Sequence, residues 1–298
     1  MMKSLAPAIY GKLFLTACMW GGTFVAGRVV ARNVPPFTAS FLRFAVASFF
    51  LMLIILKVEG RLPAIKKNQW LPAVLLGMTG IFAYNVFFFL GLQTVTASRA
   101  SLIVACNPVF ISLLSALLFK ERMTTGKTVG IVLCLAGAII VISRGNPLEI
   151  LQGKLGWGEV YILGCVASWV AYSLIGKAIM KDLSPLTAVT WSCLIGTLAL
   201  LLPACSEGFP IHLGQVAIMD WVALFYLGFF GTVLGFIWYY EGIKAIGPSR
   251  AAVFINFVPV SGVFLGWLLL HESINLSLIL GAVLVMGGVY LTNRVNSS

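Results

Sequence analysis

The sequence predicts an all-α integral membrane protein with ten transmembrane helices, arranged as two inverted five-helix repeats. Three observations predict this fold class. The 298 residues are 60% hydrophobic and only 10% charged, whereas about 25% of an average soluble domain is charged. Uncharged stretches recur along the chain at the length of a membrane span, about 20 residues. The two halves of the chain also align with each other. This composition excludes a soluble catalytic domain, a disordered chain and an extracellular disulfide scaffold.

The uncharged stretches, and the proline and glycine residues between them, define the predicted helices. Arg43 interrupts the second stretch and is the only charge well inside a predicted span. Because the first apolar run is followed directly by another span, we expect a retained helix there and not a cleaved signal peptide. The predicted ranges are 9–31, 37–57, 70–93, 98–119, 126–143, 156–178, 184–204, 217–241, 249–270 and 275–293.

The positive charges predict the orientation of the chain. If the N-terminus is cytoplasmic, 14 of the 20 Lys and Arg residues fall on cytoplasmic segments and five on the opposite side. This bias predicts that both termini are cytoplasmic. The charges lie at the edges of the hydrophobic runs and form no single basic face, so the net charge of +11 does not indicate a nucleic-acid partner. The expected partners are the lipid bilayer and a small-molecule substrate.

An internal repeat divides the chain. With an offset of 151 residues, 98–140 aligns with 249–291 without a gap and pairs Arg, Pro, Glu and Gly residues as well as Leu and Val. With an offset of 149, Trp20 falls on Trp169 and Pro36 falls on Pro185. The sequence therefore consists of two related units.

The number of helices in each unit gives the repeat its topology. Five is odd, so the second unit enters the membrane from the opposite side, as in many secondary transporters. We expect the first repeat at 1–145 and the second at 146–298. Two such halves can rock against each other and expose a site at the membrane midplane to alternate sides.

A set of short motifs is distributed over both halves. They are Trp20, Leu42-Arg43-Phe44, Ser98-Arg99-Ala100, Asn107-Pro108 and Lys120-Glu121 in the first half, and Trp169, Trp238-Tyr239-Tyr240-Glu241-Gly242, Gly247-Pro248-Ser249-Arg250-Ala251, Val258-Pro259-Val260 and His271-Glu272 in the second. Through these motifs the whole chain resembles the EamA-type branch of the drug/metabolite transporter superfamily, which consists of ten-helix bacterial exporters. The resemblance implies a non-enzymatic carrier of the bacterial inner membrane that exports amino acids, other metabolites or toxic organic compounds.

Paired prolines indicate where a substrate could bind. Pro108 and Pro259 occupy equivalent places near the middle of the fourth and ninth helices, and each should break the local hydrogen bonding. Paired helix breaks in two repeats indicate a transport site, although proline in membrane helices also serves packing. Asn256 lies one turn before Pro259 and needs a polar partner if it is buried. Asn107, next to Pro108, is added to the candidates from the family motif.

Aromatic and hydroxyl side chains form equivalent faces on the first and sixth helices. The spacing of i, i+3 and i+4 places each set on one side of its helix, which suits an organic substrate with a flat or apolar part. Core packing is the alternative for both faces. Tyr84 and Asn85 of the third helix are further candidates, and so are Trp238 and Tyr239 unless they belong to an interfacial belt. The two faces consist of Trp20, Thr23 and Phe24, and of Trp169, Tyr172 and Ser173.

Charged residues give one candidate substrate-binding residue and exclude several kinds of site. A charge inside a span is a functional hypothesis by default, so Arg43 could attract a substrate carboxylate; the alternative is a structural role on backbone carbonyls. Near the span centres the sequence has no Asp or Glu, and Glu121 and Glu272 are expected to cap the ends of the fourth and ninth helices. Proton coupling therefore stays open. The sequence contains no P-loop, no metal-binding motif and no catalytic triad, so we expect no cofactor and no enzyme activity.

Three functions are compatible with these patterns. The leading hypothesis is alternating-access export of small organic metabolites such as amino acids, by a monomer or a weak homodimer. Efflux of lipophilic or aromatic cations is the second, although acid-free span centres weigh against it. The third is a non-transporting membrane sensor or scaffold, which has no comparable need for inverted halves.

Overall fold

The computed structural model describes residues 6–119, 123–148, 152, 155–179, 184–209 and 213–294, and over this part of the chain every regular element is helical. Nine helices of that part are long and apolar enough to cross a membrane, and the last contributes a shorter apolar stretch. The ten spans are α1 (Ala6–Asn33), α2 (Pro36–Glu59), α3 (Lys67–Leu92), α4 (Ala97–Val104 and Asn107–Phe119), α5 (Thr125–Ile142), α6 (Trp157–Ile179), α7 (Pro185–Ser206), α8 (Ile218–Ile246), α9 (Pro248–Ile255 and Phe257–Leu270) and α10 (Leu276–Arg294).

The predicted number and order of helices are confirmed. The largest difference is the end of α8, which was expected at 241 but lies at Ile246. Glu241 does not end the helix. Its carboxylate is exposed and pairs with Lys12 of α1 at 2.6 Å. A charged side chain can reach the polar boundary while the helix that carries it continues.

Local sequence signals begin and end these helices. Pro36 occupies the first turn of α2, where a missing N–H costs nothing. Gly60 ends that helix with a φ of 71°, in the left-handed region that glycine adopts without strain. Ser184 precedes α7, and its hydroxyl accepts a hydrogen bond from the N–H of Thr187 at 3.2 Å.

Symmetry-equivalent helices of the two halves pack directly on each other. In α5 and α10, Gly130 and Gly137 are equivalent to Gly281 and Gly288. A Cβ atom on Gly137 would lie 2.7 Å from the backbone nitrogen of Val285, so only glycine permits this backbone approach. The glycine matches that revealed the repeat are therefore required by the packing between the repeats.

Two spans contain a π-helical stretch that the sequence patterns did not predict. In α3 it covers Gly77–Ala83, and in α8 it covers Tyr226–Leu234. At the offset of 151, which pairs Gly77 and Gly80 with Gly228 and Gly231, the two stretches overlap and end at equivalent positions, Ala83 and Leu234. A π-helical turn replaces i→i+4 hydrogen bonds with i→i+5 bonds, which frees backbone groups to bond elsewhere.

The two faces of the bundle differ in packing. We call the face at which α1 begins and α10 ends the terminal face and the opposite face the distal face. The largest cluster of buried apolar side chains includes Val34, Val95 and Leu224, which lie within about two turns of the distal ends of α1, α4 and α8. The distal half is therefore closely packed.

Candidate functional site

A cavity of about 680 Å³ lies between the two halves, and every span except α5 contributes to its lining. Of the two candidates that could also belong to an interfacial belt, Tyr239 lines this cavity and Trp238 does not. All the other residues that the sequence suggested as binding residues line it. They are Trp20, Thr23, Phe24, Arg43, Tyr84, Asn85, Asn107, Pro108, Trp169, Tyr172, Ser173, Asn256 and Pro259. Their convergence is a geometric finding, and their role in substrate binding stays a prediction.

The cavity extends toward the terminal face. Its lining includes Gly176, Ala188 and Ile243, each three residues from the end of its helix on that face. On the distal side, the nearest lining residue to a helix end is Ser101, four residues into α4. The cavity therefore reaches close to the terminal face and stops before the packed distal ends.

Arg43 is the only charged side chain among the described residues that line the cavity. The residue is 8% exposed, and its Nη1 donates a hydrogen bond to Oδ1 of Asn85 at 2.8 Å. Its guanidinium carbon lies 5.2 Å and 5.7 Å from the ring centroids of Phe44 and Phe88, within the range of a cation–π contact. No carboxylate of the described chain pairs with it.

The π-helical stretch of α3 positions Asn85. The Nδ2 of Asn85 donates to the carbonyl oxygens of Ile81 at 2.8 Å and Gly80 at 3.4 Å, which fixes the amide with its oxygen toward Arg43. Asn85 is 1% exposed. The unusual helix geometry thus holds the amide, and the amide holds the guanidinium.

Trp169 of α6 belongs to an aromatic cluster on one wall. Its ring centroid lies 5.5 Å from that of Tyr84 and 5.3 Å from that of Tyr172. Tyr172 packs against Gly80 of α3, where no side chain intervenes. The indole N–H of Trp169, a residue that lines the cavity, has no hydrogen-bond acceptor within the described residues. Ser173 donates to the carbonyl oxygen of Trp169 at 2.7 Å, which leaves its lone pairs available.

Trp20 of α1 belongs to a second aromatic cluster, on α8. Its ring centroid lies 5.3 Å from that of Tyr239 and 5.8 Å from that of Phe236. Unlike Trp169, its indole N–H is used: it donates to the carbonyl oxygen of Gly231, in the π-helical stretch of α8, at 2.9 Å. Thr23 donates to the carbonyl oxygen of Trp20 at 2.6 Å. Equivalent tryptophans therefore face the cavity with different hydrogen-bonding capacity.

Both predicted helix breaks are present. α4 is interrupted between Val104 and Asn107, and α9 is interrupted at Asn256. Asn107 is 7% exposed, and its Oδ1 is buried without a hydrogen-bond partner among the described residues. A buried acceptor left unpaired costs about 1–3 kcal/mol. The break in α4 thus presents an unsatisfied acceptor at the cavity.

A carboxylate of α7 fastens α2 at the distal face. Glu207 directly follows α7, and its oxygens accept hydrogen bonds from the N–H groups of Phe37 at 3.2 Å and Thr38 at 2.7 Å. The hydroxyl of Thr38 also donates to it, at 3.0 Å. Since the first N–H groups of a helix have no partner within the helix, an anion at this end of α2 is stabilised. We call this contact the α2–α7 clamp.

A second clamp joins α4 and α9 in the same way. Glu272 accepts hydrogen bonds from the N–H of Ala97 at 2.7 Å, from the N–H of Ser98 at 2.9 Å and from the Ser98 hydroxyl at 2.5 Å. Glu272 does close its own helix as expected, because its N–H donates to the carbonyl oxygen of Gly266 at 3.2 Å, but its carboxylate binds the start of α4. His271 already ends α9 in the left-handed conformation, which turns the next side chain toward α4. Glu121 lies outside the described residues.

Sequence reasoning missed several parts of this arrangement. The cavity lining includes Tyr240 and Cys193, which the sequence patterns did not indicate. It also includes Tyr239, for which the sequence left an interfacial belt as the alternative. Trp238 is not among the lining residues; its ring lies 6.0 Å from Nζ of Lys12. A helical projection of α8 would have separated these two neighbours, since consecutive residues lie about 100° apart around a helix axis.

The family comparison agrees with this architecture. The model of the EamA-like transporter family matches residues 8–143 and again residues 156–294. The chain therefore belongs to the EamA-like transporter family and is a multi-pass membrane transporter. Within the described residues, no group of three or more His, Cys, Asp or Glu side chains could hold a metal ion.

Curated relatives and a solved structure extend over nearly the whole chain. The uncharacterized transporter YyaM of Bacillus subtilis (strain 168) is 30% identical over 96% of this chain and 94% of its own length. A Salmonella typhimurium protein described as a probable amino-acid metabolite efflux pump is 27% identical over 93% of this chain and 92% of its own length. A solved crystal structure has the same fold, with a TM-score of 0.66 at 19% identity over 97% of this chain and 99% of the other.

Proposed function

We propose that this protein is a secondary transporter that exports small organic metabolites by alternating access, with amino acids as the first class to test. The observation that carries the proposal is the cavity between the two inverted halves, which extends toward the terminal face and is closed by packed side chains at the distal face. A single site enclosed by two rocking halves is what alternating access requires.

The proposed orientation agrees with export, and the direction itself is decided by the experiment below, because an alternating carrier visits this conformation in import and in export. With both termini in the cytoplasm of a bacterial cell, the terminal face is cytoplasmic, and the cavity faces the compartment where metabolites are made. We propose the same two repeats as the sequence predicts, 1–145 and 146–298, and the separate family matches over 8–143 and 156–294 support that division.

The lining chemistry favours metabolites over cations. Aromatic rings line both walls, and the only charge at the cavity within the described residues is the positive Arg43. Arg43 repels a lipophilic cation, and no carboxylate among the described residues lines the cavity to offset that repulsion. The relative described as a probable amino-acid metabolite efflux pump supports the same choice.

The working unit is proposed to be a monomer or a weak homodimer. We propose no catalytic activity for it. Any coupling to protons would act through groups outside the cavity or on the substrate itself, since no Asp or Glu of the described chain lines it.

The test is an untargeted comparison of metabolites in the medium of cells that overproduce the protein and cells that lack it. A metabolite that rises with overproduction and falls with deletion would support export and identify the substrate. Accumulation of cations inside the deleted cells would support the second candidate, efflux of lipophilic cations. Unchanged media and unchanged cation content would contradict transport and favour a sensor or scaffold.

A further inference from the structure

Resting on the proposed export function, we propose that Arg43 is the anchor for a carboxylate of the substrate, and that the substrate class is organic acids with an apolar body and an N–H donor. The first argument is the electrostatic balance of the cavity. A guanidinium that is 8% exposed carries a full charge in a poorly solvated place, where a charge without a counter-ion is strongly unfavourable. The described chain supplies no counter-ion.

The second argument is the geometry of the guanidinium. Its Nη1 is held by Asn85, its flanks are covered by Phe44 and Phe88, and its Nε is buried without a partner. Nη2 makes no hydrogen bond to any described residue. A carboxylate can accept two parallel hydrogen bonds from one guanidinium. Nη2 of Arg43 has free donors for the first of these, and the second, from Nε, requires the substrate to displace the groups that bury that atom.

The remaining lining supplies contacts for the rest of such a molecule. The unpaired Oδ1 of Asn107 can accept a hydrogen bond from an amine or ammonium group. The rings of Trp169, Tyr172 and Tyr239 can contact an apolar or aromatic side chain. A zwitterion with an apolar side chain would satisfy all three kinds of contact.

The experiment uses three probes that share a phenyl ring: L-phenylalanine, 3-phenylpropionate, which lacks the amine, and phenethylamine, which lacks the carboxylate. Binding to the purified full-length protein is measured by ligand-dependent thermal stabilisation and isothermal titration. We expect the order L-phenylalanine, 3-phenylpropionate, phenethylamine, from the tightest to the weakest. Arg43→Gln should weaken the two carboxylates by about tenfold or more and should not weaken phenethylamine.

Controls separate binding from folding. Arg61→Gln removes the same charge from an exposed position on the terminal side and should leave all three affinities unchanged. Arg43→Lys keeps the charge without the planar donor pair, so it should fold and bind carboxylates with intermediate affinity. If Arg43→Gln weakens all three probes equally, or phenethylamine binds as tightly as L-phenylalanine, the anchor is wrong.

Failure of this inference differs from failure of the export function. Export of a metabolite without a carboxylate, or export by Arg43→Gln at the wild-type rate, would overturn the anchor and leave export intact. Absence of any exported metabolite would contradict the export function instead.

A different observation carries a second inference. We infer that the α2–α7 clamp alternates with an equivalent clamp on the terminal face, formed by Glu59 and the first N–H groups of α7. At the repeat offset of 149, Thr38 is equivalent to Thr187, and Glu59 lies one residue from the position equivalent to Glu207.

The observed conformation has one of these clamps formed. Glu207 holds the start of α2 on the distal face, whereas Glu59 is exposed at the end of α2. The start of α7 uses a substitute instead: Ser184 accepts the hydrogen bond from the N–H of Thr187. Inverted halves exchange their conformations when the cavity changes sides. In the opposite state Glu59 therefore takes the place at α7 that Glu207 has at α2.

Single neutralised carboxylates test the alternation. The reporter is Ser112→Cys in the cavity lining, with Cys193, which also lines the cavity, and the accessible Cys18 and Cys205 replaced by Ser. It is labelled in intact cells by a membrane-impermeant thiol reagent added outside. Glu207→Gln should increase labelling several-fold, because it weakens distal closure. Glu59→Gln should decrease it, because it weakens terminal closure. The double variant should return toward the wild-type level.

The control is Glu241→Gln, which removes an exposed carboxylate of the terminal face from its ion pair with Lys12. The inference is overturned if Glu59→Gln labels like this control, or if it changes labelling in the same direction as Glu207→Gln. Thermal stability of each purified variant shows whether a change in labelling reflects unfolding. If it does, neutralising either carboxylate would increase the labelling.

Discussion

The hydroxyl oxygens of Ser48 in α2 and Thr197 in α7 lie 2.9 Å apart, and these two residues are equivalent positions of the two repeats, 149 residues apart. Equivalent residues can touch only where they lie beside the pseudo-two-fold axis. The axis therefore passes between α2 and α7, next to the cavity. The close backbone approach of α5 and α10 places a second pair of equivalent helices in contact.

Cross-linking can test this contact. The variant carries Ser48→Cys and Thr197→Cys, and a protease site in the linker between α5 and α6. After treatment with a short thiol cross-linker and cleavage by the protease, the two halves should still migrate as one band on a denaturing gel. A matched pair, Ser48→Cys with Thr187→Cys, separates the thiols by about 15 Å along α7 at 1.5 Å per residue and should not cross-link. Equal cross-linking of both pairs would contradict the contact.

The glycine contact between α5 and α10 should be sensitive to any added side chain. Gly137→Leu places its Cβ 2.7 Å from the backbone nitrogen of Val285, so we expect the helices to separate and the protein to lose about 1–3 kcal/mol or more of stability. Gly287→Leu is the control, since nothing lies within 4 Å of a Cβ there. Thermal unfolding in detergent measures both. A Gly137 variant as stable as the Gly287 variant would contradict this packing.

Trp169→Ala should weaken substrate binding without preventing membrane insertion. Loss of a large apolar contact surface costs on the order of 1–3 kcal/mol, which corresponds to about ten- to a hundredfold in affinity. Export rate is measured against the amount of protein in the membrane. Trp267→Ala is the matched control, because Trp267 is 49% exposed and is not among the residues that line the cavity. An equal effect of the two substitutions would remove Trp169 from the proposed site.

Asn85→Ala should impair export through Arg43. The change removes the acceptor that Nη1 of Arg43 uses, and it also releases the carbonyl oxygens in the π-helical stretch of α3. We expect a loss of stability of about 1–3 kcal/mol and reduced export. A double-mutant cycle with Arg43→Gln measures the coupling. Additive effects would show that the two side chains act independently.

Reporter fusions test the orientation. Fusions after residues 65 and 246 should report the cytoplasm, and fusions after residues 34 and 146 should report the exterior, because the positive charges favour the terminal face as the cytoplasmic one. A consistent reversal would contradict the orientation and remove its support for the proposed direction of transport. The cavity and the clamps would be unaffected, since neither depends on the orientation of the chain.

The sequence was sufficient for the helices and for part of the cavity lining, for a physical reason. Charges, prolines and glycines at the span ends are local signals, and the repeat placed Trp20 and Trp169, or Pro108 and Pro259, in equivalent positions. Equivalent positions of inverted halves converge at the midplane. Residues selected for symmetry therefore met in one cavity.

The contacts between helices could not be predicted from these sequence patterns. Glu272 is adjacent in sequence to the end of α9, yet it binds the start of α4, because the left-handed conformation of His271 redirects the chain. Likewise, the sequence gives no periodic signal for the π-helical stretches, since glycine and aromatic residues are also common in ordinary membrane helices. The free acceptor of Asn107 depends on what surrounds it, and a sequence does not contain that information.

The matched π-helical stretches of α3 and α8 bear on the history of the chain. Such a stretch is an α-helix that has gained one residue without shifting the helices around it. Both units carry theirs at the same place, since the two stretches end at Ala83 and Leu234, which are equivalent at the repeat offset of 151. One insertion in a single ancestral gene, followed by duplication and fusion, accounts for both, whereas two later insertions would have to coincide. The carbonyl oxygens that bind Asn85 in one half and Trp20 in the other were therefore inherited from an ancestor with five helices, whose two copies had to assemble in opposite orientations in the membrane.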